Sequence, residues 1–142
     1  MSIAIIIKAR QHDIITCTAQ DSVRHAVALL AEKRIGALPV MDGGAVVGIF
    51  SERDVLHGVA REGGAVLDRT VGEVMTSPAI SIETALDAND ALALMTRRRI
   101  RHLPVIEGGE FLGFVSIGDL VKFRIEQIEA EAEAMREYIT MS

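Results

Sequence analysis

The sequence predicts an α+β fold of two β-α-β-β-α repeats packed with pseudo-twofold symmetry, followed by a long C-terminal helix. Three observations lead there. A shift of 65 residues lays "RIGALPVMDGGAVVGIFSERD" (Arg34–Asp54) on "RIRHLPVIEGGEFLGFVSIGD" (Arg99–Asp119), with ten of the 21 positions identical and no gap. Apolar periodicity switches between strand-like and helix-like in the same order in both copies. After the second copy no proline occurs and no glycine follows Gly118.

Each repeat opens on a short apolar strand, around Ile14–Cys17 and Ala79–Ile82. A helix follows. Val23, Val27, Leu30 and Ala31 recur at helical spacing in the first copy, and Ala88, Leu92 and Met95 in the second; Asp21 and Asp87 stand where N-caps belong. Two strands come next, "ALPVM" with "AVVGIF" and "HLPVI" with "EFLGFV". The turns "DGG" and "EGG" join them, because a tight hairpin needs positive φ and glycine supplies it. The second helix begins at Ser51 or Ser116. One such unit leaves a sheet face open, and a second copy covers it. The expected organisation is residues 1–60 and 73–122 as the repeats, 61–72 as a linker and 123–142 as a helical extension. "SIAIIIKARQH" lacks the "TVGEVM" that leads into the second copy, so the first copy is expected to differ at its start.

In the extension, Val121, Ile125, Ile128, Ala132, Met135 and Ile139 are spaced 4, 3, 4, 3, 4. That is a heptad seam, flanked by Glu126, Glu129, Glu131, Glu133 and Arg136. It predicts a homodimer contact; the alternative is a helix lying on its own body.

The net charge of −5, 4% aromatic content and absence of Trp argue against nucleic acid, which takes a basic and often aromatic surface. A local basic cluster can still hold a small anion. Cys17 is the only cysteine, which fits a reducing compartment. The apolar run Ile3–Ile7 is too short for a signal-peptide core, and no segment approaches the ~20 apolar residues of a membrane helix. A soluble cytoplasmic protein without a membrane partner is expected. His12, His25 and His57 lack metal-ligand spacing, and no nucleophile–base pair, dinucleotide fingerprint or phosphate loop is present, so an enzyme is not expected.

The motif "G-x-x-S-x-x-D" occurs at Gly48, Ser51, Asp54 and again at Gly113, Ser116, Asp119. A helix N-terminus with a serine hydroxyl attracts an anion, and a carboxylate one turn later suits the two hydroxyls of a ribose. Arg53, in the first turn of its helix, runs against the helix dipole and points to an anion partner. Arg97, Arg98 and Arg99 complement the dipole at a helix end and read as solvated. The rival reading of the Ser–Asp pairs is a capping box, which prefers Glu or Gln; Asp is short for it.

Together with "I-x-x-L-P-V" and the Gly-rich hairpin, this motif in a β-α-β-β-α unit resembles the CBS domain, and the tandem resembles a Bateman module. The resemblance covers nearly the whole chain, from about Ile3 to Val121, and implies a stand-alone regulatory module that binds adenine nucleotides. It implies two clefts, each drawing on both copies. One would combine Phe114, Ser116 and Asp119 with Gly36, Ala37 and the Ile15 strand. The other would combine Ile49, Ser51 and Asp54 with Arg101, His102 and the strand near Ile80. Arg101 and His102 precede "LP" where Gly36 and Ala37 stand in the first copy, so the clefts are not equivalent. Expected ligands are AMP, ADP, ATP, NAD or S-adenosylmethionine; the expected partners are a second copy and a regulated protein the sequence does not name. The alternative is a dimerisation or docking module with vestigial sites.

Overall fold

A computed structural model describes residues 1–9 and 14–141 of the 142, so His12 lies outside the described residues. The chain runs α1 (Ile3–Ala9), β1 (Cys17–Thr18), α2 (Val23–Lys33), β2 (Ala37–Asp42), β3 (Ala45–Ser51) and α3 (Glu52–Glu62). A 3₁₀ turn (Gly63–Asp68) follows, then α4 (Val71–Val74), α5 (Ala88–Arg98), β4 (His102–Glu107), β5 (Glu110–Ser116) and α6 (Ile117–Met141). The α+β architecture of two β-α-β-β-α repeats and a long C-terminal helix is therefore present.

In the first repeat β1 runs parallel to β2, and β2 pairs antiparallel with β3. In the second, β4 pairs antiparallel with β5, and the expected opening strand shrinks to a parallel bridge between Ile82 and Val105. Both hairpins turn through two glycines at positive φ, Gly43 (57°) with Gly44 (87°) and Gly108 (55°) with Gly109 (80°), as a two-residue loop requires. The helices α2 and α5 bury the same face, through Val23, Ala26 and Leu30 and through Ala88, Ala91 and Met95; Ala31 is exposed. Both helices end on an arginine in the left-handed region, Arg34 and Arg99. The α5 cap is Asp87, as expected, but α2 is capped by Ser22, whose hydroxyl accepts from the His25 N–H. Asp21 instead accepts from the Thr18 N–H and closes the preceding turn. The 65-residue shift itself pairs Asp87 with Ser22.

The described residues form two cores. Cys17, Val23, Ala26, Leu30, Leu38, Val40 and Phe50 form one with Val66, Val71 and Val74. Ile82, Ala88, Ala91, Met95, Leu103, Val105, Val115 and Leu120 form the other with Ile3 and Ile6. Each repeat is thus closed by the segment that precedes the other repeat. The helix α4 leads into the second copy but packs on the first; α1 opens the chain but packs on the second. Their docking begins with matching backbone contacts. The Val71 N–H donates to the Asp21 carbonyl (2.8 Å) and the Val23 N–H to Arg69 (2.9 Å); the Ile3 N–H donates to Leu86 (2.9 Å) and the Ala88 N–H to Met1 (2.9 Å). The expected difference at the start of the first copy lies beyond these shared contacts: α1 stays helical to Ala9, whereas α4 ends at Val74 and Thr76 pairs with Ile49. "SIAIIIKA" occupies the structural place of "TVGEVMTS", at an offset of 68 rather than 65.

The helix α6 packs on α1, α5 and β5, burying Leu120 and partly burying Phe123. Its heptad seam lies elsewhere on its circumference. Val121, Ile125, Ile128, Met135 and Ile139 are all exposed, so the helix lies on its own body through another face and not through the seam.

Candidate functional site

Each repeat brings its pre-"LP" residues to the end of its own last strand. Ala37 is the register partner of Ser51, and His102 of Ser116. The Glu52 N–H donates to the Gly36 carbonyl (3.1 Å) and the Ile117 N–H to the Arg101 carbonyl (2.8 Å), so Gly36 and Arg101 are pinned beside the helix N-termini. The two junctions adjoin across the pseudo-twofold axis. A β-carbon placed on Gly36 would stand 3.2 Å from Cε1 of His102 and 3.8 Å from the Glu52 carboxylate carbon. The His102 ring also stacks on Phe114, with centroids 5.4 Å apart.

The Ser–Asp pairs close capping boxes. The Ser116 N–H donates to Oδ2 of Asp119 (2.8 Å) while the Asp119 N–H donates to Ser116 Oγ (3.1 Å). The Ser51 N–H donates to Oδ2 of Asp54 (2.8 Å), and Ser51 Oγ lies 3.2 Å from the same oxygen. The expectation that aspartate is too short for this task is corrected: an extended N-cap residue brings its own N–H within reach of the shorter acid. Asp54 does more. It is 8% exposed, and its Oδ1 accepts from Thr76 Oγ1 (2.9 Å). Thr76 belongs to the segment after α4, which adds itself to β3 through two hydrogen bonds with Ile49 (2.9 Å each). The sequence gives no sign of Thr76, because it lies outside the repeated motif.

Ile15 packs at the margin of the first core, and Ile49 is half-buried with its backbone tied to Thr76. Arg53, Ile80 and Arg101 are exposed. Phe114 is buried under His102. Cys17 is a buried thiol; burial, helped by the nearby Asp21 charge, pushes its pKa up to about 11, which makes it inert. Among the described residues no group of His, Cys, Asp and Glu could hold a metal, and no helix is long and apolar enough to cross a membrane. Sequence reasoning did not anticipate an open groove of about 490 Å³ between the two hairpins, lined by Met41, Gly43, Gly44, Gly108, Gly109 and Phe111 among others. The matching turn sequences were the only sign of it, and it contains none of the candidate binding residues.

A family model described as CBS domain matches residues 7–61 and 71–126. The mitochondrial CBS domain-containing protein CBSX3 of Arabidopsis thaliana is 35% identical over 128 residues, 87% of this chain; the chain spans 62% of that relative's length. A solved protein with CBS domains from Burkholderia ambifaria is 41% identical with a TM-score of 0.83, covering 89% of this chain and 95% of the other. A solved CBS domain pair in complex with 5′-methylthioadenosine and S-adenosyl-L-methionine shares the fold at a TM-score of 0.77 and 22% identity, covering 89% of this chain and 98% of that one.

Proposed function

The chain belongs to the CBS domain family, and from that premise we propose that it is a regulatory module, not an enzyme, that senses an adenine nucleotide. The observation that carries the reading is the doubled junction: two helix N-termini, each with a serine and an aspartate, meet across the pseudo-twofold axis beside His102. Such N-termini attract phosphate, and a carboxylate accepts from ribose hydroxyls. The ligand is AMP, ADP, ATP or a dinucleotide such as NAD; S-adenosylmethionine fits the same chemistry, and a protein of the same fold holds it. The residues that bind are those named at the two junctions, with Ile15 and Ile80 against the bases. The module works in the cytoplasm, a reading supported by its lone buried thiol, and it acts as a homodimer on a protein partner.

A second reading has its own observation. Both aspartates already serve as caps, and Asp54 is tied to Thr76 as well. That is what a docking module with vestigial sites would keep.

Titration calorimetry with AMP, ADP, ATP, NAD and S-adenosylmethionine separates the two. A ligand that binds only the folded protein at 100 times its Kd adds about 2.7 kcal/mol, a rise in Tm of roughly 5–10 °C for a chain of this size. No heat and no shift at millimolar concentration would leave the docking module. The asymmetry of the junctions gives a sharper result. Arg101 is exposed at its junction, and a guanidinium grips phosphate through paired hydrogen bonds. Arg101→Ala is expected to weaken ATP about 10- to 100-fold, AMP by a few-fold and adenosine not at all. Equal losses for all three would mean that Arg101 supports the cleft without reading phosphate.

A further inference from the structure

The exposed seam of α6 specifies its own partner and the direction in which that partner lies. We propose that two copies of this chain associate through α6 as a parallel two-stranded coiled coil, a proposal that rests on the homodimer reading above and adds its orientation and register. The helix already uses one face, through Leu120 and Phe123, to sit on the body. Its seam faces solvent, with Ile125 51%, Ile128 49% and Met135 61% exposed. From Glu129 to Met141 every residue but Ala132 is exposed, so this half of the helix extends beyond its own domain.

The flanking charges choose the direction. With Ile125, Ala132 and Ile139 at heptad position a and Val121, Ile128 and Met135 at d, positions g carry Arg124 and Glu131, and positions e carry Lys122, Glu129 and Arg136. In a parallel pair each g residue meets the following e residue of the second copy. Arg124 then faces Glu129, and Glu131 faces Arg136, each twice by symmetry. In the antiparallel pair that keeps the same seam in register, Val121 lies opposite Ile139 and Ile125 opposite Met135. That arrangement sets Lys122 against Arg136, Glu129 against its own copy and Glu131 against its own copy. Every charged pair attracts in the first arrangement and repels in the second. The existing contact of Arg136 with Glu133 (3.2 Å) is between exposed side chains and is easily exchanged. The body also pre-orders the first turns of α6, which lowers the ordering cost that a seam of about 27 Å has to meet.

Ile125→Cys and Met135→Cys, each made in the full chain, test this with diamide as oxidant; both positions are exposed, and the native Cys17 is buried, so the unsubstituted chain is the control. In a parallel dimer each variant cross-links to itself, because identical positions face each other. The expected result is near-complete dimer for each variant alone and a dimer mass in sedimentation at micromolar concentration. If neither variant links to itself but a mixture of the two does, the dimer is antiparallel and the proposal is overturned while the homodimer reading stands. A monomer in sedimentation with no cross-link in any combination overturns both.

Discussion

Gly48→Ala is expected to lower stability by about 2–3 kcal/mol, and Gly113→Ala by less than half of that, with urea denaturation midpoints as the measurement. The two glycines are equivalent in the repeat, yet a segment of different character crosses each of them. A methyl group on Gly48 would stand 2.7 Å from Met75 Sδ and 2.8 Å from the Thr76 carbonyl oxygen. The methionine can swing aside. The carbonyl cannot, because it accepts from the Ile49 N–H while the Thr76 N–H donates to the Ile49 carbonyl. Relief requires the segment after α4 to peel from β3, which also strains the contact between Thr76 and Asp54. At Gly113 the three nearest atoms belong to the Ile7 side chain, at 3.2–3.3 Å, and a side chain can yield by the few tenths of an ångström required. Equal losses at the two positions would show that backbone proximity does not set the cost, and that these glycines are kept for another reason.

The same crossing segments mark the limit of what the sequence discloses. The strand–turn–strand–helix stretch was legible because ten identities in 21 positions fix the repeat, and the glycine pairs fix the hairpins. The lead-in helices were not. Ile3 and Ile6 match Val71 and Val74 in burial and in backbone docking, but the offset between them differs from that of the repeat. Which repeat a lead-in helix closes depends on long-range packing, and no local pattern encodes that. The seam of α6 was visible as a spacing, but its freedom from the body follows from Leu120 and Phe123 lying on another face. At the junctions, Ser51, Asp54, Ser116 and Asp119 were located correctly at helix starts, whereas their capping geometry turned on the extended backbone of the cap residue.

Asp54 and Asp119 are expected to separate folding from ligand binding. Asp54→Ala should cost about 3 kcal/mol of stability, since three hydrogen-bond donors surround its carboxylate and bonds to a charged group contribute about 1.5–3 kcal/mol each before partial compensation by water. The residue is buried, so the Ser51 N–H and the Thr76 hydroxyl would lose their acceptor where water has little access. Asp119 is only half-buried, and its loss is that of a helix cap, about 1 kcal/mol. If a ribose engages these carboxylates, Asp119→Ala should nonetheless lose at least tenfold in nucleotide affinity, a factor worth about 1.4 kcal/mol. Asp54→Asn supplies the control: it retains an acceptor for Thr76 while removing the charge, so it should regain part of the stability but not the full affinity. Both measurements come from one thermal titration of each variant, with and without nucleotide. Should Asp119→Ala and Asp54→Ala both lose stability while affinity stays unchanged, the two boxes are caps alone, and the ligand must sit away from both carboxylates.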